Sequence, residues 1–175
     1  MNDKVLLTGR PGCGKTTLIR RVVDGLPQRA GGFYTEEMRE RGTRVGFKII
    51  TLEGDEAVFA HVDSQTPERV AKYGLDLSAL ETVGVEAVHE AVRARRLVVI
   101  DEIGPMEIRS RNFRDAVKEA LDSGAPILAT ITARSLPFID AIKSRSDVSI
   151  VEVRVKNRDE LVSELLNRFS SPNPR

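Results

Sequence analysis

The sequence of 175 residues predicts an α/β fold in three layers, with helices on both faces of a mostly parallel sheet. Apolar runs at residues 5–7 and 97–100, and strand-like segments at 127–131 and 148–153, alternate along the chain with segments of helical periodicity. The run at 97–100 is continuously apolar and ends at an acid, which is typical of a strand buried on both faces. Alternating strands and helices imply parallel strands joined by right-handed crossovers, so this order favours a covered sheet.

One region departs from this alternation, because residues 32–61 show the two-residue period of half-buried strands. Its segments at 33–35, 45–51 and 57–59 are separated by short glycine-containing sequences, which are typical of tight turns. We therefore predict an antiparallel hairpin region near residues 32–61 beside the parallel sheet. We expect a single domain over residues 1–169 and a flexible tail at residues 170–175, where serine and proline accumulate.

Composition excludes several classes of protein. Lys and Arg number 27 against 26 for Asp and Glu, so no overall field attracts polyanions or membranes. Cys13 is the single cysteine, which excludes an intramolecular disulfide, and no cysteine and histidine cluster has zinc spacing. The apolar run after the N-terminus is too short for a signal peptide, and no run reaches the ~20 residues of a membrane helix. We expect a cytoplasmic monomer without membrane partners.

A glycine-rich loop, defined here as residues 9–16, follows the first predicted strand. It matches the pattern G-x-x-x-x-G-K-[ST] in full and opens a predicted helix, which is the context that a phosphate-binding loop requires. Glycines let such a loop turn its backbone N–H groups toward phosphate oxygens, and the helix dipole attracts the same anion. We expect Lys15 to bind the β- and γ-phosphates and Thr16 to ligate Mg2+. The predicted nucleotide-binding residues here are Gly9, Arg10, Pro11, Gly12, Cys13, Gly14, Lys15, Thr16 and Thr17, the last at the α-phosphate.

Two adjacent acids stand at the end of the apolar run at 97–100. Ligands of α/β sheets bind beyond the carboxyl ends of parallel strands, so we expect Asp101 to be the second Mg2+ partner beside Thr16. Glu102 is the candidate general base that orients and deprotonates an attacking water. The alternative is that both acids are ordinary solvated residues at a strand end. The predicted nucleotide-binding residues of this strand are Val99, Ile100, Asp101, Glu102 and Ile103.

A regulatory GTPase is an alternative because residues 101–104 fit the pattern D-x-x-G. Four positions with two of them fixed are weak evidence. A guanine-reading N-K-x-D motif is absent, since residues 156–159 read K-N-R-D, with the first two residues reversed. The sequence therefore favours broad use of nucleoside triphosphates over strict use of GTP.

Four further stretches resemble one family of phosphate-loop proteins. They read GFYTEE at residues 32–37, RVGFKIITL at 44–52, YGLDL at 73–77 and IDEIGPME at 100–107. With them the chain resembles the THEP1-type nucleoside-triphosphatases over nearly its whole length. The resemblance implies a RecA-like P-loop NTPase fold and slow, Mg2+-dependent hydrolysis of ATP, GTP and other triphosphates to the diphosphate and phosphate. Lys15, Thr16, Asp101 and Glu102 match the family's positions for the roles given above.

Charge that develops during phosphoryl transfer is often stabilised by an arginine. Arg134 follows the predicted strand at 127–131, and Arg145 matches an arginine of the family. For each of them the alternative is a solvated surface residue. Glu36 and Glu37 follow a strand and either line the nucleotide pocket or face solvent.

Two other functions are alternatives to hydrolysis. A small-molecule kinase would need an arginine-rich lid, and the segment from 134 to 145 is short for one. A nucleotide-dependent switch or RNA-binding module would use the arginines at 93, 95, 96, 109, 111 and 114. Because aromatic residues make up only 5% of the chain, the sequence favours a solvated surface over a nucleic-acid interface.

Overall fold

The computed structural model describes residues 3–170. The strands of this range are β1 (Lys4–Thr8), β2 (Ala30–Glu40), β3 (Thr43–Thr51), β4 (Glu56–His61), β5 (Arg69–Val70), β6 (Tyr73–Leu75), β7 (Leu97–Ile103), β8 (Ile127–Ile131) and β9 (Ser149–Glu152). They form one sheet in the order β5-β6-β4-β3-β2-β7-β8-β1-β9. The five adjacent strands β2, β7, β8, β1 and β9 pair in parallel, which confirms the mostly parallel sheet.

Helices of the described range cover both faces of the parallel strands. They are α1 (Lys15–Gly25), α2 (residues 77–93), α3 (Arg111–Asp122), α4 (Pro137–Lys143) and α5 (Arg158–Ser170). Helix α2 consists of three consecutive segments: Leu77–Ala79, a π-helical segment Leu80–Val85, and Glu86–Arg93. A short 3₁₀ helix spans Glu107–Arg109. None of these helices is both long and apolar enough to cross a membrane.

The alternation of side chains along the strands explains the three layers. On β1, Leu6 packs in one core with helices α2, α3 and α4, whereas Val5 and Leu7 pack in a second core with α1 and α5. On β7, Val98 and Val99 divide between the same two cores. Because successive residues of a strand point to opposite faces, a run of apolar residues supplies both cores at once. The predicted three-layer arrangement is confirmed.

The antiparallel region predicted near residues 32–61 is confirmed as the hairpins β2–β3 and β3–β4. Arg41 and Gly42 form the two-residue turn of the first hairpin, with φ of 47° and 80°. Positive φ at both positions is typical of a type I′ turn, whose twist matches that of the flanking strands. The first part of β2 also pairs in parallel with β7, so the hairpins extend the parallel sheet directly. The short strands β5 and β6 were not predicted.

Element boundaries differ from the sequence prediction in two places. The strand predicted at 97–100 continues to Ile103, so the two acids lie within β7. The helix predicted at 83–94 begins at Leu77, where the Asp76 side chain accepts a hydrogen bond from the Ala79 backbone N–H and caps the first turn. Of the predicted tail at 170–175, Ser170 ends α5 and the remainder lies outside the described residues.

Candidate active site

The glycine-rich loop connects β1 to α1 at the carboxyl ends of the parallel strands. Glycine is required at its first position, because a Cβ at Gly9 would lie 2.6 Å from the carbonyl oxygen of Val153. Gly14 is the residue before α1 and has a φ of 96°, a conformation that other residues rarely adopt. The two positions let the chain turn tightly between the strand and the helix. Backbone N–H groups at the start of α1 are thereby available to an anion.

Lys15, the first residue of α1, reaches back across this loop. Its Nζ donates hydrogen bonds to the carbonyl oxygens of Gly9, at 3.0 Å, and Arg10, at 3.2 Å. Both acceptors are neutral, and Lys15 forms no ion pair with any residue between 3 and 170. The loop therefore combines a positive charge with the positive end of the helix dipole, which is the electrostatic setting that a polyphosphate needs.

Asp101 on β7 joins the glycine-rich loop to the centre of the sheet. Its Oδ2 accepts a hydrogen bond of 2.7 Å from the Thr16 hydroxyl, and its Oδ1 accepts one of 2.7 Å from the Thr130 hydroxyl on β8. The carboxyl group is almost fully buried, and burial raises its pKa. Hydrogen bonds from the two hydroxyls and from the Thr35 backbone, together with the charge of Lys15, oppose this rise.

Glu102 follows in a stretch where the β7–β8 pairing is irregular, between Ile100 and Ile103. Such an irregularity re-aims side chains that would otherwise alternate between the two faces of the sheet. Burial raises the pKa of Glu102, as does the neighbouring charge of Asp101, while Lys15 lowers it. Both acids therefore lie in the field of the same lysine. A half-buried carboxyl with a raised pKa suits a general base that operates near neutral pH.

Thr16 and Asp101 are also the residues that would hold Mg2+. Their hydroxyl and carboxylate oxygens are the ligand types that this hard cation prefers, and the buried Asp101 carboxyl benefits from a nearby positive charge. Within residues 3–170 no group of three or more His, Cys, Asp or Glu side chains is arranged to hold a metal. A site with one carboxylate is what Mg2+ uses when phosphate and water oxygens complete its coordination. The residues therefore fit the predicted ion.

Arg145 does not lie near these residues, and its predicted role at the γ-phosphate needs correction. Its guanidinium donates to both Asp147 oxygens, at 2.8 and 2.9 Å, and lies 2.9 Å from an oxygen of Asp122. Asp147 also forms an ion pair with Lys4, the first residue of β1. The glycine-rich loop follows Thr8, the last residue of the same strand. The ion pairs therefore hold Arg145 at the opposite end of the sheet.

Arg134 lies at the correct end, because it follows β8, which is parallel to β1 and adjacent to it. Its side chain is exposed and forms no ion pair with the residues at positions 3–170. Glu36 and Glu37 are exposed and pair with basic residues of the hairpins, Glu36 with Lys48 and Glu37 with Arg44. This supports the solvent-facing alternative for the two acids.

The arginines considered for a nucleic-acid face are largely neutralised. Four of the six form ion pairs with acidic side chains: Arg93 with Glu86, Arg96 with Glu53, Arg109 with Glu68 and Arg111 with Asp115. Arg114 donates to the carbonyl oxygen of Ile108. A surface whose positive charges are already paired offers little attraction to a phosphate backbone.

Comparisons with known proteins show the family to which the chain belongs. A family model described as NTPase matches residues 4–166. The chain is 50% identical over 164 residues to the nucleoside-triphosphatase THEP1 of Thermotoga maritima, with 94% of each chain covered. The chain belongs to the THEP1-type nucleoside-triphosphatase family. This membership confirms both the family and the prediction of an enzyme.

Solved structures of two members of this family show the same fold. The crystal structure of THEP1 from Aquifex aeolicus has a TM-score of 0.88 and 33% identity, covering 96% of this chain and 99% of that one. The solution structure of a human cancer-related nucleoside triphosphatase has a TM-score of 0.81 and 34% identity, covering 98% and 99%. The predicted P-loop NTPase fold is therefore confirmed.

Two residues near the acids were not assigned a role from the sequence. Thr130 lies in an apolar strand, where a threonine is common for its β-propensity alone, so nothing marks it as a partner of Asp101. Glu107, in the 3₁₀ helix after β7, is buried, and its carboxyl lies with that of Glu102 around Gly104. A Cβ added at Gly104 would be 3.0 Å from an oxygen of each.

The buried position of Glu107 predicts a dependence of stability on pH. Burial, followed by the charge of Glu102, raises the pKa of Glu107 from 4.5 to about 8. Between these values the unfolded chain releases the proton and the folded chain keeps it, so the free energy of unfolding should fall as pH rises through this window. In the parent protein we expect the free energy of unfolding to fall by on the order of 3 kcal/mol between about pH 5 and pH 8, and in Glu107→Gln we expect this fall to be absent.

Urea unfolding of both proteins across this pH range measures the effect. Glu164→Gln changes an exposed acid of α5 and is the matched control, which should keep the slope of the parent protein. If the free energy of unfolding of Glu107→Gln falls with pH as it does in the parent protein, the Glu107 carboxyl is not the group that titrates.

Proposed function

We propose that this protein hydrolyses nucleoside 5′-triphosphates to the diphosphate and phosphate, with Mg2+ and with low selectivity among ATP, GTP, CTP and UTP. The observation that carries the proposal is the contact between Thr16 of the glycine-rich loop and Asp101, with Glu102 beside it in the field of Lys15. A loop that only binds phosphate has no need of a second carboxyl at this position. A hydrolase needs such a group, because the attacking water must lose a proton.

Each residue has a separate role in the proposed reaction. Lys15 and the backbone N–H groups at the start of α1 bind the β- and γ-phosphates. Thr16 and Asp101 hold Mg2+, which offsets the negative charge of the phosphate oxygens when it is bound. Glu102 accepts a proton from the water whose oxygen attacks the γ-phosphorus, and the nucleoside diphosphate leaves. Arg134, exposed at the same edge of the sheet, is the proposed cation for the transition state.

A kinase is not favoured by the segment that would form its lid. Within residues 134–145, helix α4 carries Ile139 and Ile142, and both are buried in the core that it shares with α2 and α3. Arg145 at the end of the segment is held by Asp147 and Asp122. A lid must open and close, whereas these contacts anchor the segment at both its middle and its end.

Phosphate release from ATP, GTP, CTP and UTP tests the proposal directly. With Mg2+ present we expect release from all four, with rates within about tenfold of one another, a spread of ~1.4 kcal/mol in activation free energy. Excess EDTA should reduce release to background, and added Mg2+ should restore it. Release from a single triphosphate would refute low selectivity. Release that requires an added alcohol or nucleoside acceptor would identify a phosphotransferase instead.

A further inference from the structure

Arg158, the first residue of α5, lies against the last glycine of the glycine-rich loop. A Cβ added at Gly14 would be 2.7 Å from Arg158 Nη1 and 2.9 Å from its Cδ. The side chain is half-buried, and its guanidinium forms no hydrogen bond or ion pair with the residues that the structure describes. An arginine has five N–H donors and a planar face, so this one retains its full capacity to bind a ligand.

The segment before Arg158 is fixed to the start of the glycine-rich loop. The Val153 backbone N–H donates to the carbonyl oxygen of Thr8 at 2.7 Å, directly before Gly9. Val155 follows and is 70% exposed, so its apolar side chain is accessible to a ligand. An apolar group and a planar cation therefore stand on one short segment beside the loop.

The path of a bound nucleotide leads toward this segment. Along α1, Lys15 is the proposed partner of the β- and γ-phosphates, and Thr17 is the proposed partner of the α-phosphate. The nucleoside continues from the α-phosphate, so it leaves the loop near the start of α1. Arg158 covers this point, at Gly14.

Two polar side chains of this segment, Asn157 and Asp159, make contacts within the protein. The Asn157 side chain accepts a hydrogen bond from the Arg154 backbone N–H at 2.8 Å and donates one to the carbonyl oxygen of Glu152 at 3.0 Å. Asp159 forms an ion pair with Arg21. The amide is therefore held in the turn by two backbone contacts, and one carboxylate oxygen of Asp159 is paired with Arg21.

We propose that Arg158 and Val155 form the nucleobase site, with the guanidinium of Arg158 stacked on the base and Val155 as its apolar wall. The inference rests on the proposed function, because it takes the triphosphate to lie in the glycine-rich loop. Arginine stacks on the face of any base, and neither Arg158 nor Val155 selects a base edge. The site therefore accepts purine and pyrimidine nucleotides alike, which is the physical basis of the low selectivity.

Binding of non-hydrolysable analogues of ATP, GTP, CTP and UTP, compared with binding of inorganic tripolyphosphate, separates the base from the phosphates. Arg158→Ala should weaken binding of all four analogues by about tenfold, as expected for the loss of one stacked base, and leave tripolyphosphate within about twofold. Arg158→Lys keeps the charge without the planar face and should also weaken the analogues. Arg154→Ala is the matched control, since it removes a neighbouring arginine that pairs with Glu152.

Three results would overturn the inference. Unchanged affinity for the analogues in Arg158→Ala would show that the residue does not contact the nucleotide. An equal loss for tripolyphosphate would assign Arg158 to the phosphates. A loss confined to one base would show selective recognition in place of stacking. Failure of the parent protein to bind any analogue would instead refute the proposed function, and thermal unfolding without ligand shows whether each variant is folded.

Discussion

Replacing Glu102 by glutamine is expected to reduce phosphate release roughly 100- to 10,000-fold while nucleoside triphosphates still bind with nearly the parent affinity. The amide has almost the shape of the carboxylate but cannot accept a proton from water. Lys15 and Thr16, which hold the triphosphate in the proposed complex, are unchanged. Single-turnover release of phosphate with Mg2+ measures the chemical step, and binding of a non-hydrolysable analogue measures affinity separately.

Glu36→Gln provides the control for this experiment. Glu36 is an exposed acid on β2, and its ion pair with Lys48 lies on the hairpins. The Glu36→Gln protein should hydrolyse triphosphates at the parent rate. If Glu102→Gln also turned over at the parent rate, the assignment of Glu102 as the general base would be wrong. If it lost both hydrolysis and affinity, Glu102 would contribute to binding instead.

Lys15→Ala is expected to weaken binding of nucleoside triphosphates by about 100-fold or more. The variant loses a charge-assisted hydrogen bond to phosphate, worth roughly 1.5–3 kcal/mol, and the single positive charge that faces the loop carbonyls of Gly9 and Arg10. Titration calorimetry with a non-hydrolysable triphosphate analogue measures this loss. The effect should be similar for all four bases, because Lys15 contacts only phosphate in the proposed complex.

Lys118→Ala removes an exposed lysine of α3 that pairs with Asp115, and it should bind as the parent protein does. Thermal unfolding without ligand shows whether loss of the two loop hydrogen bonds disturbs the fold. Full affinity in a folded Lys15→Ala protein would refute the assignment of the glycine-rich loop to phosphate.

The parts of the site that could be predicted are those encoded within a few residues. The glycine-rich loop is a continuous pattern between a strand and a helix, and Asp101 and Glu102 directly end an apolar run, so local sequence suffices. The three layers also follow from local periodicity, because β1 and β7 must supply two cores. The hairpins follow from their turn residues, Arg41 and Gly42 among them.

Contacts between distant segments could not be predicted in this way. Thr130 binds Asp101 only because β8 lies between β1 and β7, an order that periodicity does not determine. The contacts of Arg145 depend on the fold as well, because its neighbours Asp122 and Asp147 are brought together by the crossover from α3 to α4. Strands β5 and β6 contain two and three residues, which is too short for a two-residue period to be recognised.

The position of β8 between β1 and β7 has a consequence for folding. Thr16, Asp101 and Thr130 are far apart in the chain, and Asp101 meets its two hydroxyl partners only when all three strands are in place. A folding intermediate with only part of this sheet would therefore have no complete nucleotide site. Ligand that binds only the fully assembled protein shifts the unfolding equilibrium of the whole sheet, by RT ln(1 + [L]/Kd). A higher nucleotide concentration therefore raises the free energy of unfolding of the whole sheet as well as the occupancy of the site.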